Sequence, residues 1–256
     1  MERIFKKAIV RRPSSEMVNG ISNANLGKPD FKIALEQHNS YIKSLEMCGL
    51  EVKVLPALTA FPDATFIEDV SLCTPECAIV TNPGASSRNG ETAEMKTILA
   101  ADFMAIEEIT SPGTLDAGDV MMVGSHYYIG LSERTNDEGA SQLIAILEKY
   151  RMSGSKVSLN EVLHLKTGLS YLEHNNLLVS GEFIDRQEFE SFKKIEILPE
   201  EAYAANSLWI NGTVLVPKGF PDTLTKIKEA GYKTIEVDVS EFRKLDGGLS
   251  CLSLRY

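Results

Sequence analysis

Short apolar runs alternate with amphipathic stretches along the whole chain, and each change of period marks a predicted element. Ile4 to Val10 reads as a strand; together with Met1-Glu-Arg before it, it is expected to run from a sheet edge into the core. Its apolar part is too short for a signal peptide. Pro29-Asp30 opens a helix with Leu35, His38, Ile42 and Leu45 on one face, and Gly49 lies just past its end. Glu51 to Leu55 alternates as a strand. Phe66 to Leu72 and Ala78 to Thr81 read as a hairpin or paired strands, and Gly90 to Ala101 as a helix.

The same order then recurs. Val120-Met-Met-Val and Tyr127-Tyr-Ile, joined by Gly124-Ser-His, predict a hairpin. Asn136 to Tyr150 is a predicted helix in which Gly139 is a tolerated weak point. Val157 to Leu159 and Leu177 to Ser180 are strand-like, as are Leu208 to Ile210 and Val214 to Val216 across the turn signal Asn211-Gly212. Pro221 to Ala230 is a helix ending at Gly231, and Thr234 to Val237 a strand. The unit of hairpin, helix and strand returns about every 50 residues, which predicts internal pseudo-symmetry in an α/β fold. The repeat lies in the order of elements and not in the residues themselves. No linker, charge block or low-complexity segment divides the chain, so residues 1–256 are expected to form a single domain.

Composition narrows the function. A net charge of −10 offers no basic stripe for phosphates and argues against nucleic acid as a partner. It is compatible with a small cationic substrate. No apolar run approaches the roughly 18 residues that cross a bilayer. Of the cysteines Cys48, Cys73, Cys77 and Cys251, the pair Cys73-x3-Cys77 has no second pair or nearby histidine to complete four ligands, so no metal site is expected. A cytoplasmic setting with reduced thiols fits this usage better than a disulfide framework.

Cys251 stands apart from the other three. It follows a Gly-Gly turn in Lys244-Leu-Asp-Gly-Gly-Leu-Ser-Cys-Leu-Ser, within a short apolar run of strand-like character. Two glycines can bring peptide groups and a thiol close to a ligand, which a buried core cysteine does not need. Candidate partners are distributed along the chain. His164 lies in Val162-Leu-His-Leu-Lys-Thr-Gly, where a lone histidine is more often structural than catalytic. His38 falls on the apolar helix face, His174 in a polar loop and His126 in a hairpin turn, where it is expected to be solvated. Asp116 and Asp119, in Gly113-Thr-Leu-Asp-Ala-Gly-Asp-Val, are either turn formers or carboxylates that orient a histidine. Asp63, Glu68 and Asp69 are embedded among Phe61, Phe66, Ile67 and Val70. Acids in so apolar a segment require a cationic partner or a rim position, and a guanidinium matches carboxylates in pairs. Arg88 and Arg134, in loops before helices, could each clamp a carboxylate bidentately.

Seven segments in order resemble the dimethylarginine dimethylaminohydrolase family of the guanidino-group-modifying, or pentein, superfamily. They are Leu26-Gly-Lys-Pro-Asp, Phe61-Pro-Asp-Ala-Thr-Phe-Ile-Glu-Asp, Thr114-Leu-Asp-Ala-Gly-Asp-Val-Met, Arg134-Thr-Asn, Leu163-His-Leu-Lys-Thr-Gly, Tyr203-Ala-Ala-Asn and Asp246-Gly-Gly-Leu-Ser-Cys. The resemblance implies a five-bladed α/β propeller of ββαβ units. It also implies Cys251 as nucleophile, His164 as general acid/base and Asp116 as the carboxylate that orients the histidine. Some family members carry glutamate where this chain has the shorter Asp116. Asp63, Glu68 and Asp69 would surround the guanidinium and amine of the substrate, with Phe66 on its stem. Arg88 and Arg134 would hold the α-carboxylate, and Ile21 and Leu245 would make contact through the backbone.

The implied activity is hydrolysis of NG,NG-dimethylarginine or NG-monomethylarginine to citrulline and the methylated amine, through a covalent Cys S-alkylthiouronium. It needs no cofactor and no metal, and the expected partner is the small methylated arginine, with neither nucleic acid nor membrane. A homodimer is left open. The alternatives are an arginine deiminase, an amidinotransferase and a non-catalytic binder of arginine derivatives.

Overall fold

The computed structural model describes residues 4–256. Met1-Glu-Arg, the start of the expected N-terminal strand, lies outside the described residues. That strand is β1 (Lys7–Arg11), followed by α1 (Phe31–Met47) and β2 (Glu51–Leu55). A second unit holds β3 (Ser71–Cys73), β4 (Ala78–Val80), α2 (Met95–Leu99) and β5 (Ile106–Glu108). The third has β6 (Val120–Val123), β7 (His126–Leu131), α3 (Asp137–Lys149) and β8 (Ser153–Ser158). In the fourth, α4 (Leu165–Gly168) leads into β9 (Leu169–Tyr171), β10 (Asn176–Val179) and β11 (Lys193–Glu196). The fifth comprises β12 (Leu208–Ile210), β13 (Thr213–Pro217), α5 (Pro221–Glu229) and β14 (Lys233–Val237), before α6 (Ser240–Arg243) and β15 (Leu254–Arg255).

These strands make five three-stranded sheets: β3-β4-β5, β6-β7-β8, β9-β10-β11, β12-β13-β14 and β15-β1-β2. Every sheet follows one rule. The middle strand pairs antiparallel with the first and parallel with the third. A parallel pair needs a crossover, and in four of the five units that crossover carries an α-helix. In β10 to β11 two 3-10 turns, Gly181–Phe183 and Gln187–Phe189, serve instead. The fold is thus a five-fold repeated α/β propeller, as the family resemblance implies, and the pseudo-symmetry expected from the element order is its trace in the sequence. The last strand, β15, joins the sheet of the first, so the ring closes through chain ends far apart in sequence.

Local chemistry explains the element boundaries. The Asp30 side chain accepts from Lys32 and Ile33 N–H at 2.8 and 3.1 Å and caps α1. Asn136 caps α3 through Gly139 N–H at 2.8 Å. Asn211 and Gly212 take φ of 48° and 84°, the left-handed pair of a tight hairpin turn. Gly139 is more than the tolerated weak point expected: a Cβ there would stand 2.0 Å from the Thr114 carbonyl oxygen, so only glycine lets α3 dock on that loop. The predicted helix Gly90–Ala101 is broken into a 3-10 turn, Ser86–Thr92, and the shorter α2. Phe66–Leu72 is likewise split, because Ile67–Val70 is a 3-10 turn and only Ser71–Cys73 is strand. The three-residue strands β5 and β9, with β11 and β15, escape a period-two reading because they are too short to show one.

One arrangement sets up the site. The first strands β3, β6, β9, β12 and β15 all contribute to the wall of one axial cavity of about 130 Å³. Each is preceded by a short helical turn: Ile67–Val70, Ala117–Asp119, α4, Pro199–Ala205 and Ser250–Leu252. Glu68, Asp69, Asp116, His164 and Cys251 fall on or beside these five turns.

Candidate active site

Cys251 is the middle residue of the turn Ser250–Leu252, not part of a strand as its apolar neighbours suggested. Its Sγ accepts from Gly248 N–H at 3.4 Å and is half-buried. Burial, then the charges of Asp69 and Glu68, push the thiol up to about 12. In the empty site the sulfur is therefore a thiol at neutral pH.

His164 immediately precedes α4. Its Nε2 lies 3.1 Å from Asp116 Oδ2, so the shorter arm of aspartate does reach the imidazole. Burial works against the charged ring, yet Asp119, the bond to Asp116 and the charge of Asp69 outweigh it and lift His164 to about 9. Burial opposes ionisation of Asp116 as well, but His164, Arg88 and Gly84 N–H hold its carboxyl below the usual range. The pair is charged at neutral pH.

Asp69 extends this network. Its Oδ2 accepts from Arg88 Nη1 at 2.6 Å and its Oδ1 from Gly118 N–H at 3.2 Å. Acceptor atoms of Asp69, Asp116 and His164 lie within 4.8 Å of one another, the one such group among the described residues with potential to hold a cation. Each of these carboxylate oxygens already has a protein donor, which describes a hydrogen-bonded network better than a ligand set. Asp63 accepts from Ile21 N–H at 3.0 Å, and burial raises its carboxyl against the pull of Arg88.

The structure brings most of the predicted residues to a single cavity. Cys251, His164, Asp116, Asp63, Asp69, Phe66, Arg88, Arg134, Ile21 and Leu245 all line it. Glu68 does not. Its Oε1 pairs with Lys166 at 2.6 Å and Arg255 at 2.8 Å, and its side chain faces the axial cavity. Its charge still acts on Cys251. Successive residues of a three-per-turn helix point about 120° apart, which sends Glu68 toward the axial cavity and Asp69 toward the site.

The two arginines also differ. Arg88 is buried and engaged by Asp69, by both oxygens of Glu91 and by the carbonyls of Asp63 and Phe66. It is a structural cation as well as a cavity wall, and the carboxylates it clamps are those of Asp69 and Glu91. Arg134 is half-buried, and its guanidinium has no ion pair among the described residues. The backbone N–H groups of Ile21 and Leu245 donate to Asp63 and to the Phe242 carbonyl, which leaves their carbonyls to a ligand.

The other histidines stay structural. His38 is fully buried on α1, and burial pulls it down to about 4. His126 opens β7 half-exposed, with its ring nitrogens 2.8 and 2.9 Å from the hydroxyls of Ser153 and Ser155.

Asn206 carries more than its place in a motif indicated. Its Oδ1 accepts from Ser250 N–H at 2.9 Å, while its Nδ2 donates to the Lys166 carbonyl at 2.9 Å. One amide thus ties the Cys251 turn to the His164 turn. Its following the fourth of five equivalent turns was the available signal. Tyr203 Oη donates to the Gly247 carbonyl at 2.7 Å and pins the same loop.

The model of the family described as N,N dimethylarginine dimethylhydrolase, eukaryotic, matches residues 19–197. The N(G),N(G)-dimethylarginine dimethylaminohydrolase of Pseudomonas aeruginosa is 54% identical, over 99% of this chain and 100% of its own. The chain belongs to the dimethylarginine dimethylaminohydrolase family. The Streptomyces coelicolor dimethylaminohydrolase is 33% identical over 98% of this chain and 96% of its own. A cysteine-to-serine variant of the Pseudomonas dimethylaminohydrolase, solved in complex with citrulline, superposes with a TM-score of 0.98 at 54% identity, covering 99% of this chain and 100% of that one. The N-terminal domain of the cyanobacterial arginine dihydrolase ArgZ, 20% identical, shares the fold with a TM-score of 0.87 over 97% of each chain.

Proposed function

We propose that this dimethylarginine dimethylaminohydrolase family member hydrolyses NG,NG-dimethylarginine and NG-monomethylarginine to citrulline and dimethylamine or methylamine, with residues 1–256 acting as one catalytic domain. One relationship carries the reading: a half-buried thiol and a charged His164–Asp116 pair line the same cavity as Asp63, Asp69 and Arg134, which has no ion pair among the described residues. Acidic walls suit the guanidinium and the ammonium of the substrate, and Arg134 suits its α-carboxylate. The citrulline complex of the Pseudomonas relative, and its histidine-to-glycine variant solved as an adduct with S-methyl-L-thiocitrulline, support that substrate class.

The resting site holds a thiol and an imidazolium, and a bound guanidinium changes both. Its positive charge favours the thiolate and weakens the hold of His164 on its proton. Because His164 is already protonated, the Cys251 thiol proton passes to bulk water as the cation binds. The thiolate sulfur then attacks the guanidinium carbon to form a neutral tetrahedral adduct. The carbon–nitrogen bond to the methylated nitrogen then breaks, and His164 gives that nitrogen a proton as the amine departs. Cys251 is left as an S-alkylthiouronium. His164, now neutral, takes a proton from water as the water oxygen adds to the same carbon. Breaking the carbon–sulfur bond forms the carbonyl of citrulline, and the hydroxyl proton passes to the departing thiolate and restores the thiol. Asp63 and Asp69 hold the planar cation in line with the sulfur, a positioning effect worth roughly 7–11 kcal/mol in favourable cases. This chemistry requires no metal or cofactor.

Cys48, Cys73, Cys77 and Cys251 form no disulfide among the described residues, which supports a reducing, cytoplasmic setting. No helix among the described residues is long and apolar enough to cross a membrane. The test offers the protein dimethylarginine, monomethylarginine and arginine in parallel, with citrulline as the readout. Citrulline from the two methylated substrates supports the proposal. Citrulline from arginine alone would reassign the chain to deiminase chemistry, and citrulline from none would make it a binder.

A further inference from the structure

Asp119 lies outside the cavity that holds Cys251, yet its carboxylate has three donors and is fully buried. Its Oδ2 accepts from Ser132 Oγ and Thr135 Oγ1, each at 2.6 Å, and its Oδ1 accepts from Leu165 N–H at 2.9 Å. The first two donors flank Arg134; the third is the residue that follows His164.

The direction of these bonds is forced. Ser132 Oγ already accepts from Arg134 N–H at 3.0 Å and from Thr135 N–H at 3.1 Å, so its own proton must go to an acceptor. Thr135 Oγ1 accepts from Asp116 N–H at 3.2 Å, which engages one of its two lone pairs. An ionised carboxylate takes all three donors. Burial raises the Asp119 carboxyl, and the charge of His164 with these bonds opposes that rise. Three loops therefore converge on one buried negative charge: the loop of Asp116, the loop of Arg134 and the turn of His164.

We infer that Asp119 is a positioning residue that docks the Arg134 loop against the His164 turn and faces the imidazole with a further negative charge. The inference deepens the proposed function and rests on it for the roles of Arg134 and His164. The charged and titratable groups that act on His164 or share a cavity wall with it are Asp116, Asp119, Asp69, Arg88, Asp63, Arg134, Cys251, Asp246, Lys166 and Tyr203. Of the acids, Asp116 bonds the ring directly, and Asp119 acts at one remove. Its charge is among the influences that raise His164.

The two halves of the inference separate by mutation in the full chain. In Asp119→Asn the amide NH2 meets either Ser132 Oγ, whose lone pairs are both taken, or the Leu165 N–H, so the Arg134 loop is loosened and the charge is lost. The His164 ring, followed by imidazole NMR through a pH titration, should then titrate at least about one pH unit lower than in the parent. The KM for dimethylarginine should rise about tenfold, as for two lost hydrogen bonds. Ser132→Ala keeps the charge while freeing the loop: KM should rise with the His164 midpoint unmoved. An unchanged midpoint in Asp119→Asn overturns the electrostatic half, and an unchanged KM in Ser132→Ala overturns the docking half. Should Asp119→Asn fail to fold, Thr135→Val, which keeps the carboxylate, replaces it for the docking half, and an unchanged KM there is equally fatal. Absence of citrulline from the parent would sink the proposed function instead, while leaving the NMR titration readable.

Discussion

Gly247 lies flat against the ring of Phe66: a Cβ on the glycine would stand 2.1 Å from Cε1 and 2.6 Å from Cζ. The glycine is there for close approach, since its φ lies outside the left-handed region. Gly247→Ala should push Phe66 into the cavity it lines. The expected cost is about 1–3 kcal/mol in stability, typical of overpacking, together with a raised KM. Gly212→Ala, strained at φ 84° but remote from the site, should lower stability and leave KM at the parental value. Thermal unfolding and steady-state kinetics on the two variants make the comparison.

The arginines should separate in the same way. Arg88→Ala leaves Asp69 and Glu91 buried without their cation, a loss of about 3–5 kcal/mol that urea unfolding would register. Arg134→Ala strands no carboxylate. It should raise KM strongly and leave unfolding unchanged. Equal destabilisation of both variants would contradict this division.

Asp116→Asn keeps the shape of the side chain but presents the imidazole with a neutral group. The proposed mechanism predicts a loss in kcat of about 10²- to 10⁴-fold, with KM changed little. A fall in KM affinity with kcat intact would move Asp116 from chemistry to binding.

The pH dependence of stability has a definite sign. His164 keeps its proton in the folded chain up to about 9, whereas the unfolded ring releases it near 6.5. The extra stability is complete below pH 6.5 and is lost as pH rises to about 9, on the order of 3 kcal/mol. Above that, the unfolded Cys251 thiol ionises while the folded one, pushed to about 12, does not, and stability falls further. His164→Asn should lack the first decline. Urea midpoints between pH 6 and 9, compared for parent and variant, test it; parallel curves would exclude His164 as the source.

Glu68→Gln would leave Lys166 and Arg255 without their carboxylate at the axial cavity. The expected outcome is a lower Tm with KM near the parental value. A raised KM and an unchanged Tm would return Glu68 to the substrate wall.

Much of this architecture was legible before folding. The caps Asp30 and Asn136, the Asn211-Gly212 turn and the alternation of apolar periods are local signals, set by backbone geometry and short-range hydrogen bonds. The acids beside apolar residues were legible too, because burial of a carboxylate demands a partner wherever it occurs. The partner itself was not. Glu68 and Asp69 are adjacent in sequence, yet one meets Lys166 and Arg255 at the axis and the other meets Arg88 at the site.

The chain alone determined the repeating order of strand and helix, the candidate thiol, and a charge pattern suited to a guanidino acid. Only the closed ring decided which turns face one another. It set Cys251, Asn206 and His164 on neighbouring turns and brought Asp119 between Arg134 and Leu165. The reason is physical: a side chain's direction on a three-residue turn follows from local geometry, but what it meets depends on strand pairings made hundreds of residues away, such as β15 with β1.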